Sequence, residues 1–122
     1  MTQKLGLTVI EQDGVTVVGF GDEIVLDTNH VDQISKQLFE LIDQKPGRLV
    51  VMDMSTVKMI SSRTLGVLLK AKQKLDTTGG KMSISGIESR LYRVFKITSL
   101  HNIFDFHNDT ATAVAELKKE KP

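Results

Sequence analysis

Cysteine and tryptophan are absent from this sequence, and its 122 residues hold one tyrosine and two prolines. The lack of cysteine excludes disulfides, thiol nucleophiles and thiolate metal sites. Aromatic residues make up 5% of the chain, too few to interleave with basic residues as a nucleic-acid surface requires. Neither sign of charge dominates: 16 Lys and Arg stand against 15 Asp and Glu. No nucleic-acid partner is expected from that balance, and the one dense basic spot, Lys118-Lys119 with Lys121, reads as a solvated tail. No apolar run comes near the roughly 20 residues that a bilayer-crossing helix needs, so no membrane insertion is expected. The chain opens without the charged-then-apolar pattern of a signal peptide, from which a cytoplasmic protein is expected.

Enzyme signatures are equally scarce. There is no Gly-x-Ser-x-Gly elbow. Neither Gly19-Phe20-Gly21 nor Gly79-Gly80 is followed by Lys-Ser/Thr at the spacing of a phosphate-cradling loop. His30, His101 and His107 are the only histidines, and His30 and His101 read as surface residues. A hydrolytic serine therefore has no base that the sequence places beside it. Asp22, Glu23 and Asp27 read as a polar loop rather than a cation site. No catalytic activity, cofactor or metal is expected.

What is present is a regular alternation of elements. A chain of this length is expected to form one domain, residues 1–122, with 1–5 and 119–122 as frayed ends. Leu7–Ile10 and Val15–Phe20 are β-branched runs separated by Glu11-Gln12-Asp13-Gly14, a hairpin signal because Gly accepts the positive φ of a tight turn. Ile24-Val25-Leu26 reads as a short strand. Asp27-Thr28-Asn29 then offers caps for a helix to about Asp43, with Val31, Ile34, Leu38, Leu41 and Ile42 on one face and Pro46-Gly47 as its stop. Leu49-Val50-Val51-Met52 reads as a strand covered on both faces. Leu65, Leu68, Leu69 and Leu75 give the next helix, which Gly79-Gly80 ends. Met82, Ile84 and Gly86 alternate with Lys81, Ser83 and Ser85 as a further strand. Ser89–Ile97 is a short helix turning Leu91, Val94, Phe95 and Ile97 inward, and Ile103–His107 a last strand. Asn108-Asp109 caps a final helix with Ala111, Val114, Ala115 and Leu117 inward. The expected fold is a small α/β sandwich: a mostly parallel mixed sheet, an N-terminal β-hairpin edge and about four helices.

The chemically distinctive stretch lies between the strand ending at Met52 and the helix of Leu65. It collects the hydroxyls Ser55, Thr56, Ser61, Ser62 and Thr64. A serine before an apolar-periodic run is an N-cap signal, its oxygen accepting from free amides of the first turn. The same helix start carries the positive end of the dipole, which stabilises an anion. A hydroxyl here either caps the helix or accepts a phosphate. Met52, Met54 and Met59 read as fillers of core or interface gaps.

In order along the chain, Met59-Ile60-Ser61-Ser62-Arg63-Thr64-Leu65-Gly66, Thr77-Thr78-Gly79-Gly80-Lys81-Met82, Val94-Phe95-Lys96-Ile97-Thr98-Ser99-Leu100 and Ile103-Phe104 resemble motifs of the STAS domain. The likeness is to the bacterial anti-sigma-factor antagonists. The family stretch corresponding to the first of these is a hydrophobic pair, then Asp-Ser-Ser/Thr-Gly-Leu-Gly opening a helix. The resemblance implies a domain that binds an anti-sigma factor that is also a serine kinase, frees the sigma factor, and is switched off when that kinase phosphorylates it. Counted back from Leu65-Gly66, the acceptor serine falls on Ser62. The family's Asp falls on Ser61, its second hydroxyl on Arg63 and its Gly on Thr64. The implied partner-binding residues are Ser61, Ser62, Arg63, Thr64, Leu65 and Gly66, with Lys70 and Lys74 as exposed neighbours. The alternative within the family is a docking subunit of a transporter or larger signalling complex, with no phosphorylation. The oligomeric state is left open.

Overall fold

The structure, a computed structural model, describes residues 7–20, 25–26 and 31–120. The expected caps Asp27-Thr28-Asn29, the polar loop of Asp22, Glu23 and Asp27, His30 and the tail 1–5 lie outside them. Strand β1 (Thr8–Gln12) turns into β2 (Val15–Gly19) through Asp13 and Gly14, both at positive φ, 55° and 85°. Two successive positive φ values match the right-handed twist of the strands they join, so the Asp-Gly signal gives an antiparallel hairpin. After β3 (Val25–Leu26) and α1 (Val31–Gln44), β4 (Leu49–Asp53) runs parallel to β2. A two-residue strand β5 (Met59–Ile60) pairs with β3, and α2 (Ser62–Thr77) follows. Then come β6 (Lys81–Ser85), α3 (Ser89–Ile97), a single 3₁₀ turn (Leu100–Asn102), β7 (Asp105–His107) and α4 (Thr110–Glu120). The main sheet has the order β1-β2-β4-β6-β7, antiparallel only at the first pair.

Leu49, Val50, Val51 and Met52 are all buried, and they point into two different cores. Val50 and Met52 join Leu38, Leu68, Leu75, Leu91 and Phe95, contributed by α1, α2 and α3. Leu49 and Val51 join Ala113, Val114 and Leu117 of α4. Helices therefore cover both faces of the central strand, as its unbroken apolar run requires. Covering also explains β6, where Ser83 and Ser85 are as buried as Met82 and Ile84. The Ser85 hydroxyl meets that of Thr110 at 2.9 Å.

Several expectations are corrected. Ala113, not Ala111 or Ala115, faces inward from α4. Small alanines alternate with threonines there, so two stripes fit the sequence and little buried area decides between them. Ile97 is 76% exposed rather than inward; it lies two residues beyond buried Phe95, about 200° around the helix. The last strand begins at Asp105, because the 3₁₀ turn occupies Leu100–Asn102 and leaves Ile103 partly exposed before buried Phe104. His101 is half-buried, its ring edge on Tyr92 with centroids 6.4 Å apart. The final helix continues to Glu120, into the stretch expected to fray.

The cap of α4 is Asp109, whose Oδ1 accepts from the Thr112 amide at 2.8 Å. The Thr112 amide, then its side chain, and the nearby His107 hold the Asp109 carboxyl below its ordinary value of 3.8. A depressed folded pKa means stability that is present above the unfolded value and lost as pH falls through the folded one. Asp109→Ala is accordingly expected to lower the urea midpoint at neutral pH. The difference from wild type should shrink as pH drops below about 4. A gap that stays constant down to pH 2 contradicts the cap assignment.

Candidate functional site

The turn after β4 is pinned from below, and this throws its polar residues outward. The Met54 amide donates to the Ser85 carbonyl at 2.9 Å, and the Val57 amide to the Met54 carbonyl at 3.0 Å. Both side chains are buried. Between and after them Ser55, Thr56, Lys58 and Met59 are exposed. Asp53 Oδ1 accepts from the Ser55 amide at 3.0 Å, tightening the start of the turn. Lys58 reaches Glu88, just ahead of α3, at 3.1 Å. Met59, one of the methionines read as gap fillers, is 62% exposed, whereas Met52 and Met54 are enclosed. The short β3–β5 pairing then leads directly into α2.

At the start of α2 the three neighbouring hydroxyls separate into three roles. Ser61 is the N-cap, with φ −80° and ψ 161°. Its Oγ accepts from the Thr64 amide at 3.2 Å and lies 3.0 Å from the Thr64 hydroxyl. Thr64 is fully buried and Leu65 nearly so. Ser62 is exposed as the first helical residue, and among the described residues its hydroxyl has no hydrogen-bond partner. Serine, like aspartate, is a good N-cap. Ser61 therefore does with a neutral oxygen what an Asp at that position would do with a charged one. Thr64 bonds back to it, so two of the three departures from the family motif satisfy each other.

Charge at this helix start is also defined. No acidic residue occupies the first turn of α2, which leaves its dipole uncompensated by a carboxylate. Arg63 is exposed and reaches Asp32 of α1 at 3.1 Å. An exposed pair of this kind contributes little to stability and opens readily. Farther along, Lys74 is tied to Asp43 at 3.0 Å, and both Lys70 and Lys74 lie over the Phe39 ring, at 5.9 and 5.5 Å. These lysines are partly engaged with α1, and Lys70 is the more exposed.

The structure thus brings Ser61, Ser62, Arg63, Thr64, Leu65 and Gly66 to one turn, with Ser62, Arg63 and Gly66 outward. Sequence reasoning missed Met59 as an exposed neighbour and the Lys58–Glu88 link. The sequence carries no signal that separates exposed Met59 from its apolar neighbours Val57 and Ile60. No group of three or more His, Cys, Asp or Glu able to hold a metal exists among the described residues. No helix of the described residues is long and apolar enough to cross a membrane.

Gly66 raises a sharper question, because among the described residues nothing outside its chain neighbours and its own helix backbone lies within 4 Å of a Cβ built there. The fold does not need a glycine at this helical position. Gly66→Ala is expected to raise stability by about 0.5–1 kcal/mol, read by urea unfolding. A loss of stability would show that the fold itself requires Gly66. A gain would show that the fold does not require Gly66.

A five-stranded, mostly parallel sheet covered on both faces, with a hydroxyl-rich turn opening its second helix, defines the class of this domain. The STAS domain profile matches residues 7–113, and the chain belongs to that family. It is 29% identical over 94 residues to the anti-sigma-B factor antagonist of Listeria monocytogenes, covering 67% of this chain and 82% of that protein. An anti-sigma-factor antagonist domain protein from Planctomyces limnophilus superposes with a TM-score of 0.86 at 16% identity, over 94% of this chain and 99% of that one. The anti-sigma factor antagonist SpoIIAA matches in its unphosphorylated form with a TM-score of 0.77 at 15% identity, covering 95% and 99% of the two chains. Its phosphorylated form, from Bacillus, matches at 0.68 and 15%, over 90% and 96%.

Proposed function

We propose that this domain is the antagonist in a phosphorylation-controlled partner switch, a cytoplasmic protein-binding module without catalytic activity of its own. Unphosphorylated, it binds an anti-sigma factor that is also a serine kinase, and so frees the sigma factor. Phosphorylation of Ser62 by that kinase breaks the complex. The observation that carries this reading is the division of labour among the hydroxyls. Ser61 is consumed by the cap, Thr64 is enclosed, and Ser62 is the exposed one of the three, its hydroxyl unbonded among the described residues.

Modifying Ser62 breaks no hydrogen bond within the described domain. A phosphate would place about −1.5 to −2 charges at a helix start that carries no acidic residue. Arg63 is at hand to pair with it, at the expense of the exposed contact to Asp32. On the outside, the same charge would enter a face built from Met59, Gly66 and the turn, where a packed partner has no solvent to screen it. The modification is mild for the domain and severe for the complex, and that difference is what a switch needs.

Isothermal titration of the unmodified protein into anti-sigma-factor kinases from the same cell tests the proposal. Micromolar or tighter binding is expected, followed by phosphate transfer to Ser62 when ATP is supplied. Binding without transfer would favour the docking-subunit reading, in which Ser62 goes unused. Nothing tighter than millimolar across the candidates would remove the antagonist reading.

A further inference from the structure

The outer face of α3 has a composition that the switch at Ser62 does not use. Leu91 and Phe95 anchor the helix in the core. Ser89, Arg90, Arg93, Lys96 and Ile97 are all exposed on the other side. Positions 90, 93 and 97, with 96 alongside, fall on one helical stripe. Among the described residues none of Arg90, Arg93 and Lys96 has an ion pair. Several cations elsewhere are matched, Arg48 with Glu11, Arg63 with Asp32, Lys72 with Asp76 and Lys74 with Asp43. Other lysines unmatched among the described residues, such as Lys36, Lys45 and Lys118, are scattered over α1, the turn after it and α4. The carboxylate nearest in sequence, Glu88, is already taken by Lys58. Three cations without an ion pair among the described residues thus lie together on one nine-residue helix.

Shape and apolar surface accompany the charge. An open hollow of about 390 Å³ is lined by Ser89, Tyr92, Arg93, Lys96 and Ile97. Tyr92 forms a fixed wall, its ring edge-to-face on Phe106 at 5.0 Å. Ile97, 76% exposed, closes the far end. A large apolar side chain held in water between cations gains free energy only when something covers it.

We propose that this face of α3 is a docking surface for an acidic, amphipathic segment of a partner protein. Carboxylates of the segment pair with Arg90, Arg93 and Lys96, and its apolar residues cover Ile97 and the edge of Tyr92. Arginine suits this role because its planar guanidinium takes a carboxylate bidentately. The surface adjoins the switch turn through the Lys58–Glu88 contact, yet it requires no phosphorylation and stands independently of the antagonist reading. Nucleic acid is disfavoured, since three cations and one half-covered tyrosine make a poor phosphate-and-stacking track. An anionic bilayer is disfavoured because Ile97 is a single apolar anchor rather than an apolar helix face.

The test titrates the isotopically labelled full chain, followed by amide NMR, with a short synthetic peptide of alternating Glu and Leu heptads. The same peptide with Gln for Glu, a single-stranded oligonucleotide and phosphatidylserine vesicles are run beside it. The acidic peptide is expected to shift amides of Ser89–Ile97 and to bind at least about tenfold more weakly to R90E/R93E, whose spectrum should remain that of a folded domain. Ile97→Ser should weaken it about threefold. K118E/K119E, on the terminal helix, should stay within about twofold. No shift on α3 overturns the proposal, as does equal binding of the Gln peptide, or stronger occupation of α3 by the oligonucleotide or the vesicles. Because no kinase partner is used, failure here leaves the switch at Ser62 untouched.

Discussion

Leu68→Ala is expected to cost about 3–4 kcal/mol of stability, the largest loss we anticipate from one substitution on the site helix. Leu68 is fully enclosed, in the cluster that holds Val50 and Met52 of the central strand and Leu38 of α1. Truncation removes the transfer free energy of the deleted carbons and leaves a cavity, since the sheet on one side and α1 on the other cannot both relax into it. In a domain of this size that corresponds to a drop of roughly 10–20 °C in Tm. Urea unfolding at neutral pH gives the free energy directly, and a cost below about 1 kcal/mol would mean that Leu68 is not enclosed between the sheet and α1 as described. The effect matters for function because Ser62, Arg63 and Gly66 lie on the first turns of this helix. A binding defect in Leu68→Ala would therefore reflect loss of the fold rather than loss of a contact.

The second large effect concerns charge at Ser62. Ser62→Ala should keep the domain's stability within about 0.5 kcal/mol, since an exposed hydroxyl without a partner among the described residues contributes little. It should also bind the kinase partner as wild type does. Ser62→Asp is expected to weaken that binding at least about tenfold, and a phosphate on Ser62 on the order of a hundredfold or more. The ordering follows from charge: Asp brings about half the charge of a phosphate and fewer acceptor oxygens. The domain's own stability should barely fall in Ser62→Asp, and a carboxylate at the start of α2 is electrostatically favourable. The pairing of weaker binding with unchanged or higher stability separates a switch residue from a structural one. Calorimetric titration and urea unfolding on the same three proteins read both quantities.

The sheet and its helices were legible in the sequence wherever apolar residues recur with a strong period. Leu49–Met52 reads as a covered strand from its unbroken apolar run, and Asp13-Gly14 as a tight turn, and both are found so. Gly79-Gly80 ended α2 for two reasons, one of them visible. Gly79 sits at φ 83°, which the sequence signals, while Gly80 has no room for a Cβ beside the Arg48 carbonyl, which only the packed structure reveals. Legibility failed where apolar area was small or the element short. The alanines of α4 could not declare their phase, and β5 is two residues whose pairing depends on β3 rather than on any local preference. At the site, the resemblance placed the acceptor on Ser62, whereas spacing alone did not say which serine caps the helix. Geometry fixes only the cap: Ser61, with extended dihedrals, turns its oxygen onto the Thr64 amide, while Ser62, the first helical residue, is exposed.

The most direct test of the account is the position of the phosphate. Wild type, Ser61→Ala, Ser62→Ala and Thr64→Val are each incubated with the cognate kinase and ATP, and the modified residue is mapped by peptide mass spectrometry. The account predicts incorporation on Ser62 in wild type and Thr64→Val, and also in Ser61→Ala, at a rate reduced only by the weakened cap. It predicts none in Ser62→Ala. Labelling of Ser62→Ala to the wild-type extent would contradict it, and would move the acceptor to Ser61.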